Sequence, residues 1–205
     1  MTDNIARPVS VYAEANPNPE SMKFVLNRSL LNEGQSVDYP TVESAVESPF
    51  AQALFGLPFV SRVFIASNFV TITKNTDDQW SSLIPEVRTF IKSYLEEERP
   101  VFNDTPTTTS AAAAATEVPV NLSAEDAEIS QKVIDLLENY VRPAVEQDGG
   151  NITFRSYNDG IVTVNLQGSC SGCPSATVTL KAGIENLLKR MVPEVREVVA
   201  EGVTL

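Results

Sequence analysis

A low-complexity run in the middle of the chain divides it into two parts. Residues 103–117 read Asn-Asp-Thr-Pro-Thr-Thr-Thr-Ser-Ala-Ala-Ala-Ala-Ala-Thr-Glu and contain no aromatic or branched aliphatic side chain. Such a run cannot bury enough apolar surface to offset the entropy of ordering it. We therefore predict a first domain at 1–95, a flexible linker at 96–122, a second domain at 123–205, and independent movement of the two domains.

Hydrophobic periodicity predicts that the first domain mixes strands and helices. Apolar side chains recur at helical spacing from Trp80 to Leu95, and the pattern stops before Pro100. Ser48 precedes a second, shorter helical stretch in the position of an N-cap. The predicted elements are strands at 22–26, 58–65 and 68–74, an additional short strand at 37–39, and helices at 49–55 and 80–95.

The second domain is predicted to have the order α-β-β-α-β. A helix begins after Ser123 and is ended or interrupted by Pro143, and a second helix runs from Pro174 until Pro193 breaks it. Asn158-Asp-Gly160 is a hairpin turn signal. The predicted strands lie at 151–154, 161–166 and 195–200. The fold class is therefore α+β, with two small α/β-sandwich domains joined by a flexible linker.

Composition excludes several classes of function. With 15 basic and 27 acidic residues the formal net charge is -12, which argues against nucleic acid or an anionic membrane as partner. The absence of histidine removes His-dependent catalytic triads and the commonest nitrogen ligand for metals. No apolar run approaches the roughly 20 residues needed to span a bilayer.

The first 21 residues lack an apolar run of signal-peptide length, and they carry two acids before residue 15 and the single Arg7. This composition is unlike that of basic, acid-poor transit peptides, so we expect a cytoplasmic, reducing setting. In such a setting, a Cys-x-x-Cys pair is more often a metal or redox site than a structural bridge.

The only two cysteines, Cys170 and Cys173, form such a pair in Gly-Ser-Cys-Ser-Gly-Cys-Pro at 168–174. The pair precedes a helix, so free N–H groups of its first turn favour thiolate and would stabilise a metal-thiolate complex. Two thiolates do not complete a four-ligand shell, and the simplest completion is a second copy of the same loop. Two other interpretations remain open: a thiol-disulfide oxidoreductase and a zinc-bridged structural dimer.

Longer stretches resemble a known family. Residues 141–152, Val-Arg-Pro-Ala-Val-Glu-Gln-Asp-Gly-Gly-Asn-Ile, together with 168–174, resemble the C-terminal domain of NifU-like (Nfu) iron-sulfur scaffold and carrier proteins. Residues 18–26, 48–55 and 63–73 resemble the N-terminal domain found in many Nfu proteins. We interpret the Asp148-Gly149-Gly150 match as structural, because an acid and two glycines suit a helix-to-strand turn.

The resemblance implies a carrier without enzymatic activity. Cys170 and Cys173 from each of two subunits would hold a [4Fe-4S] cluster in a homodimer and pass it to apo iron-sulfur proteins. The cluster would be built on the chain or received from an upstream scaffold. The N-terminal domain, which has no thiol, would dock partners.

Overall fold

The computed structural model describes residues 8–103, 124–171 and 174–201, which form two mixed units. The first unit contains a five-stranded antiparallel sheet with strand order β1-β2-β5-β4-β3. Two helices, α1 (Pro49–Phe55) and α2 (Trp80–Glu96), pack on one face of this sheet. Its strands are β1 (Val11–Ala15), β2 (Ser21–Leu26), β3 (Ser36–Tyr39), β4 (Val60–Ala66) and β5 (Phe69–Lys74).

Side chains of this sheet alternate between two faces. Val63 and Ile65 on β4 and Val70 on β5 are fully buried in the core formed with α1 and α2. Because successive side chains of a strand point to opposite faces, the neighbouring Phe64 and Phe69 lie on the other face, in a separate buried cluster. We call this second face of the sheet the outer face.

The local signals of the first unit are confirmed at α1. Ser48 precedes the helix in extended conformation, and its hydroxyl oxygen accepts a hydrogen bond from the backbone N–H of Ala51 at 3.1 Å. Beyond α2 the chain stays attached to the first unit, because Val101 and Phe102 pack on its core. These two residues thus pack with the first unit, although they fall within the range predicted for the linker.

The second unit has the predicted order α-β-β-α-β. The three strands pair in the order β6-β7-β8, with β6 and β7 antiparallel and β7 and β8 parallel. A core made from the helices and the inward side chains of these strands holds the unit together. Its elements are α3 (Ala124–Leu136), α4 (Arg142–Gln147), β6 (Gly150–Asn158), β7 (Ile161–Gly168), α5 (Pro174–Met191) and β8 (Glu197–Glu201).

Pro143 interrupts the first helical segment of this unit without ending it. A π-helical turn, Leu137–Val141, separates α3 from α4, and the N–H of Arg142 bonds to the carbonyl of Leu137, five residues back. Proline has no N–H to donate and its ring crowds the preceding turn, so the helix widens immediately before it. The helical segment continues to Gln147 and is followed by the turn before β6.

The predicted fold class is confirmed, with one strand missed and one region outside the described residues. The edge strand β1 was not predicted. The linker expected at 96–122 falls largely in residues 104–123, which lie outside the described ranges, so the domain boundaries stay a prediction. Within the part of the chain that is described, no helix has the length and apolarity needed to cross a lipid bilayer.

The two units touch each other, whereas the linker led us to expect independent movement. The end of β7 and the turn after it lie against the outer face of the first sheet, where they contact β4 and β5. The Thr71 hydroxyl on β5 donates a hydrogen bond to the Gly149 carbonyl at 2.7 Å. The Asn151 side chain donates to the Ser36 hydroxyl at 2.8 Å, and both residues are buried.

Candidate metal-thiolate site

Cys170 lies in a single 3-10 turn, Ser169–Ser171, between the end of β7 and the start of α5. This is the strand-to-helix position that the sequence predicts. The residue is buried, with 6% of its surface exposed, and it packs within the core of the second unit. Because α5 begins four residues later at Pro174, the positive end of its dipole lies close to the turn along the chain.

Two glycines make room for this turn. Gly168 ends β7 with φ +67, and a Cβ there would lie 2.7 Å from the Gly149 carbonyl oxygen. A Cβ on Gly150 would lie 2.8 Å from the Cys170 sulfur and 2.6 Å from the Gln167 carbonyl oxygen. Real Cβ atoms do not approach other atoms that closely. The position of the sulfur therefore depends on glycine at residue 150.

The Ser169 hydroxyl links the turn to the preceding helix-to-strand connection. It donates a hydrogen bond to the Asp148 carbonyl, and its oxygen lies 3.7 Å from the Cys170 sulfur. A serine hydroxyl carries a single proton, so the same proton cannot serve the carbonyl and the sulfur together. If Cys170 becomes a thiolate, the hydroxyl can stabilise it only by turning away from Asp148.

The first unit contributes to the surroundings of Cys170. The Asn18 side-chain amide donates a hydrogen bond to the Ser169 carbonyl at 3.1 Å, and Asn18 is 3% exposed. A pocket of about 380 Å³ borders the cysteine between the two units. Its lining comes from Pro17 and Asn18 of the first unit and from Asp148, Ser169, Cys170, Thr179 and Leu180 of the second.

One carboxyl beside this contact has a perturbed pKa. Burial raises the pKa of the Glu146 carboxyl, the positive charges of Arg142 and Lys23 oppose that rise, and the negative charge of Glu33 adds to it. Lys23 and Glu33 belong to the first unit, so Glu146 faces both units. The Lys23 ammonium also donates to the Gln147 carbonyl at 3.3 Å.

Cys173 lies outside the described residues, so its distance from Cys170 stays a prediction from the spacing. Among the described residues, no three histidine, cysteine, aspartate or glutamate side chains gather around a common point. The described part of the site is thus one buried thiol in a turn before a helix, with glycine backbone against its sulfur. The fold and this turn define a two-unit protein whose C-terminal unit carries a candidate metal-thiolate site.

Comparison with known proteins gives the same family for both units. A family model described as "Scaffold protein Nfu/NifU N terminal" matches residues 11–98, and one described as "NifU-like domain" matches residues 133–199. NifU-like protein 4, mitochondrial, from Arabidopsis thaliana is 40% identical over 197 residues, or 95% of this chain and 67% of that protein. The chain belongs to the Nfu family of NifU-like proteins.

Other relatives agree with this assignment. The NFU1 iron-sulfur cluster scaffold homolog, mitochondrial, of Drosophila willistoni is 36% identical over 192 residues, which cover 94% of this chain and 63% of that protein. The chain thus spans about two thirds of the length of these two relatives. A solution NMR structure of a NifU-like protein from Saccharomyces cerevisiae overlaps 51% of this chain and 92% of its own, with 22% identity and a TM-score of 0.43, a likeness too low to support an argument.

The expectation of a cytoplasmic protein is wrong. The relatives from Arabidopsis and Drosophila are both named mitochondrial, which points to mitochondria instead. The error came from judging location by the composition of the first 21 residues.

Sequence reasoning found the cysteines but missed the residues around them. We interpreted Gly149 and Gly150 as parts of a turn, which is correct for Gly149 with its φ of +78. Gly150 has a second role against the sulfur that no local pattern indicates. Asn18 and Thr71 reach the turn from more than 75 residues away, and one sequence without an alignment holds no signal for such contacts.

Proposed function

We propose that the chain is a carrier for iron-sulfur clusters, which it holds as cargo and not as a resident cofactor. In this proposal Cys170 and Cys173 of two subunits bind one [4Fe-4S] cluster. The cluster is assembled on the chain or received from an upstream scaffold, and it is then transferred to apo iron-sulfur proteins. Carriage of this kind needs binding and release but no catalytic residue.

The geometry around Cys170 is the observation that carries the proposal. A cluster is bulky, so its ligands need a loop whose backbone leaves space and supplies N–H groups to the sulfurs. Cys170 is in a turn just before a helix, and Gly150 leaves room for the sulfur because it has no Cβ to collide with it. Membership in a family whose relatives are named iron-sulfur cluster scaffolds supports the same conclusion.

Ligand counting supports the shared site. Ordinary iron-sulfur clusters are held by four thiolates, and the chain has two cysteines and no histidine. Two copies related by a two-fold axis supply the missing pair. Each chain formally carries -12, so the bridge between copies must come from iron-sulfur bonds and not from attraction between the surfaces.

The test is anaerobic reconstitution with iron and sulfide of the parent chain, Cys170→Ala and Cys173→Ala. Both cysteine variants should lose stable cluster binding, because a two-fold site loses two of its four ligands at once. Cys170→Ala should cost about 1 kcal/mol of stability because it removes a small buried group, so circular dichroism should still show the parent fold. Ser171→Ala is the matched control, since it removes a hydrogen bond of the same turn, to the Gly168 carbonyl, but no ligand.

The control should retain the cluster. A stoichiometric cluster on Cys170→Ala would contradict the assignment. Iron and sulfide in equal amounts in protein isolated without air would exclude zinc as the native occupant, whereas zinc alone would favour the structural dimer. Reduction of insulin disulfides by the apo-protein at the rate of a thiol oxidoreductase would also contradict the carrier assignment.

A further inference from the structure

The outer face of the first sheet is covered, and what covers it is the cysteine turn. Phe64 and Thr71 are each 1% exposed, although no helix of their own unit packs on this face. Gly168 lies against Phe64: a Cβ on that glycine would be 3.0 Å from the Phe64 ring. The two units therefore bury apolar and polar surface at the position where the candidate ligands lie.

Three donors on the first unit recognise the backbone around the cysteine. Thr71 donates to the Gly149 carbonyl at 2.7 Å, Asn18 to the Ser169 carbonyl at 3.1 Å, and Lys23 to the Gln147 carbonyl at 3.3 Å. Those three carbonyls belong to the two connections that converge at Cys170. Because the acceptors are backbone carbonyls, the contact depends on the backbone conformation of the loop and not on its side chains.

Steric fit at Thr71 makes the contact specific. A Cβ on Gly149 would lie 2.8 Å from the Thr71 hydroxyl oxygen, so the Thr71 side chain fits against this backbone only because residue 149 is glycine. Lys23 packs its ammonium 4.6 Å from the centre of the Phe69 ring and pairs with Glu14 at 3.3 Å. Both contacts lie within the first unit, so they hold the Lys23 ammonium in place to donate to the Gln147 carbonyl of the second.

This arrangement conflicts with the sharing of a cluster. Thiolate-metal bonds are short, about 2.3 Å in zinc sites, so a cluster held by two chains needs both cysteine loops at their mutual surface. In the structure, Cys170 is 6% exposed and the pocket beside it is closed on one side by Pro17 and Asn18. A second chain that approaches the cysteine turn from that side would meet Pro17 and Asn18 of the first unit.

We propose that the outer face of the first sheet is an intramolecular cover for the cysteine loop, which competes with a second copy of the chain for the same surface. The competition with a second chain rests on the proposed function, whereas the contact between the outer face and the cysteine loop does not depend on it. In the closed state the thiol is protected, and in the open state two loops can share a cluster. The 20 residues numbered 104–123 can span up to about 70 Å when extended, so the connection permits separation.

The cover is tested by measuring how fast Cys170 reacts. The Cys173→Ser background leaves Cys170 as the single thiol of the chain, so its reaction with a disulfide reagent such as DTNB reports one site. In that background, Thr71→Arg should abolish the closed state, because the larger side chain collides with Gly149. Thr73→Arg is the matched control, since Thr73 lies on the same face of β5 and is only partly buried.

We expect Thr71→Arg to raise the reaction rate at least tenfold, and Thr73→Arg to leave it within twofold of the parent. Thr71→Val keeps the size and removes only the hydrogen bond to Gly149, so its rate should rise about fivefold. If circular dichroism shows that Thr71→Arg folds poorly, the conservative variant Thr71→Val tests the cover in its place. An unchanged rate in both Thr71 variants overturns the cover. A parent rate that falls as protein concentration rises also overturns it, because the covering unit would then come from another chain.

The outcome separates the cover from the carrier function. If Thr71→Arg exposes Cys170 but chains with both cysteines bind no cluster, the cover stands and the carrier function fails. If the parent binds a cluster and Thr71→Arg changes neither thiol reactivity nor loading, the carrier function stands and the cover fails. If both are correct, Thr71→Arg with both cysteines intact should reach half-maximal cluster loading at a protein concentration several-fold lower than the parent.

Discussion

Substitution of Gly150 by alanine tests whether the glycine, and not only the cysteine, builds the site. The added Cβ would lie 2.6 Å from the Gln167 carbonyl oxygen and 2.8 Å from the Cys170 sulfur. Ordinary contacts between non-bonded heavy atoms lie near 3.5 to 4.0 Å, so one or both neighbours must move by about 1 Å. Gln167 belongs to the paired strand β7, and its backbone cannot shift without disturbing the β6–β7 ladder.

The magnitude follows from the cost of overpacking. Extra atoms forced into a packed interior cost about 1 to 3 kcal/mol. For a unit of this size, each kcal/mol lowers Tm by roughly 4 to 8 °C, so we expect Gly150→Ala to melt about 10 °C below the parent. The displaced sulfur should also lower cluster occupancy after reconstitution to less than half of the parent value.

A second glycine provides the control. Gly183 lies in the interior of α5, and a Cβ there would meet no atom within 4 Å. Alanine in an exposed helical position is more favourable than glycine by about 0.5 to 1 kcal/mol. The same chemical change at Gly183 should therefore raise Tm by a few degrees and leave cluster binding intact.

The assay is differential scanning calorimetry of the apo chains, followed by iron and sulfide analysis after anaerobic reconstitution. Opposite shifts in Tm from the same substitution would show that the close contact at residue 150, and not glycine itself, determines the result. A Gly150→Ala chain with the parent Tm and a full complement of cluster would refute the role given to this residue.

Two further predictions concern the units and their contact. A fragment that begins at Val118 should fold and bind the cluster, because it contains the whole α-β-β-α-β unit. It should transfer the cluster to a physiological acceptor more slowly than the full chain. Equal transfer rates with every acceptor would argue against a docking role for the first unit. The closed state should weaken as pH rises above the usual carboxyl value of 4.5, because burial raises the pKa of Glu146 and the closed state then binds the proton more tightly than the open one. In the Cys173→Ser background, the DTNB reactivity of Cys170, corrected for the thiolate fraction with a model thiol, should rise with pH. It should rise less when Glu146→Gln is added, and equal slopes would show that Glu146 does not sense the contact.

Local signals in the sequence were sufficient for most elements of the fold. Each of three such signals affects only residues next to it in the sequence. They are the Ser48 cap, the Asp159-Gly160 turn with positive φ at both residues, and the break at Pro143. The strand β1 was missed because most of its side chains are exposed and Val11 is its only buried residue. An edge strand with only one buried side chain has no clear alternation for periodicity to detect.

The candidate site was predictable only in part, for a physical reason. The spacing of the cysteines and the proline after them is local, and it placed Cys170 correctly at the start of a helix. The contacts of Gly150 with the sulfur and of Asn18 and Thr71 with the turn come from tertiary packing. Such contacts depend on where two folded units meet, which neither propensity nor spacing specifies.

The central claim is that two chains share one cluster, and mass measurement tests it most directly. Apo and reconstituted protein are compared without air by size-exclusion chromatography with light scattering, and iron and sulfide are counted in each peak. The account predicts a monomeric apo chain, a reconstituted dimer with one [4Fe-4S] cluster for two chains, and a return to monomer after chelation. A reconstituted monomer that carries one intact [4Fe-4S] cluster would contradict it.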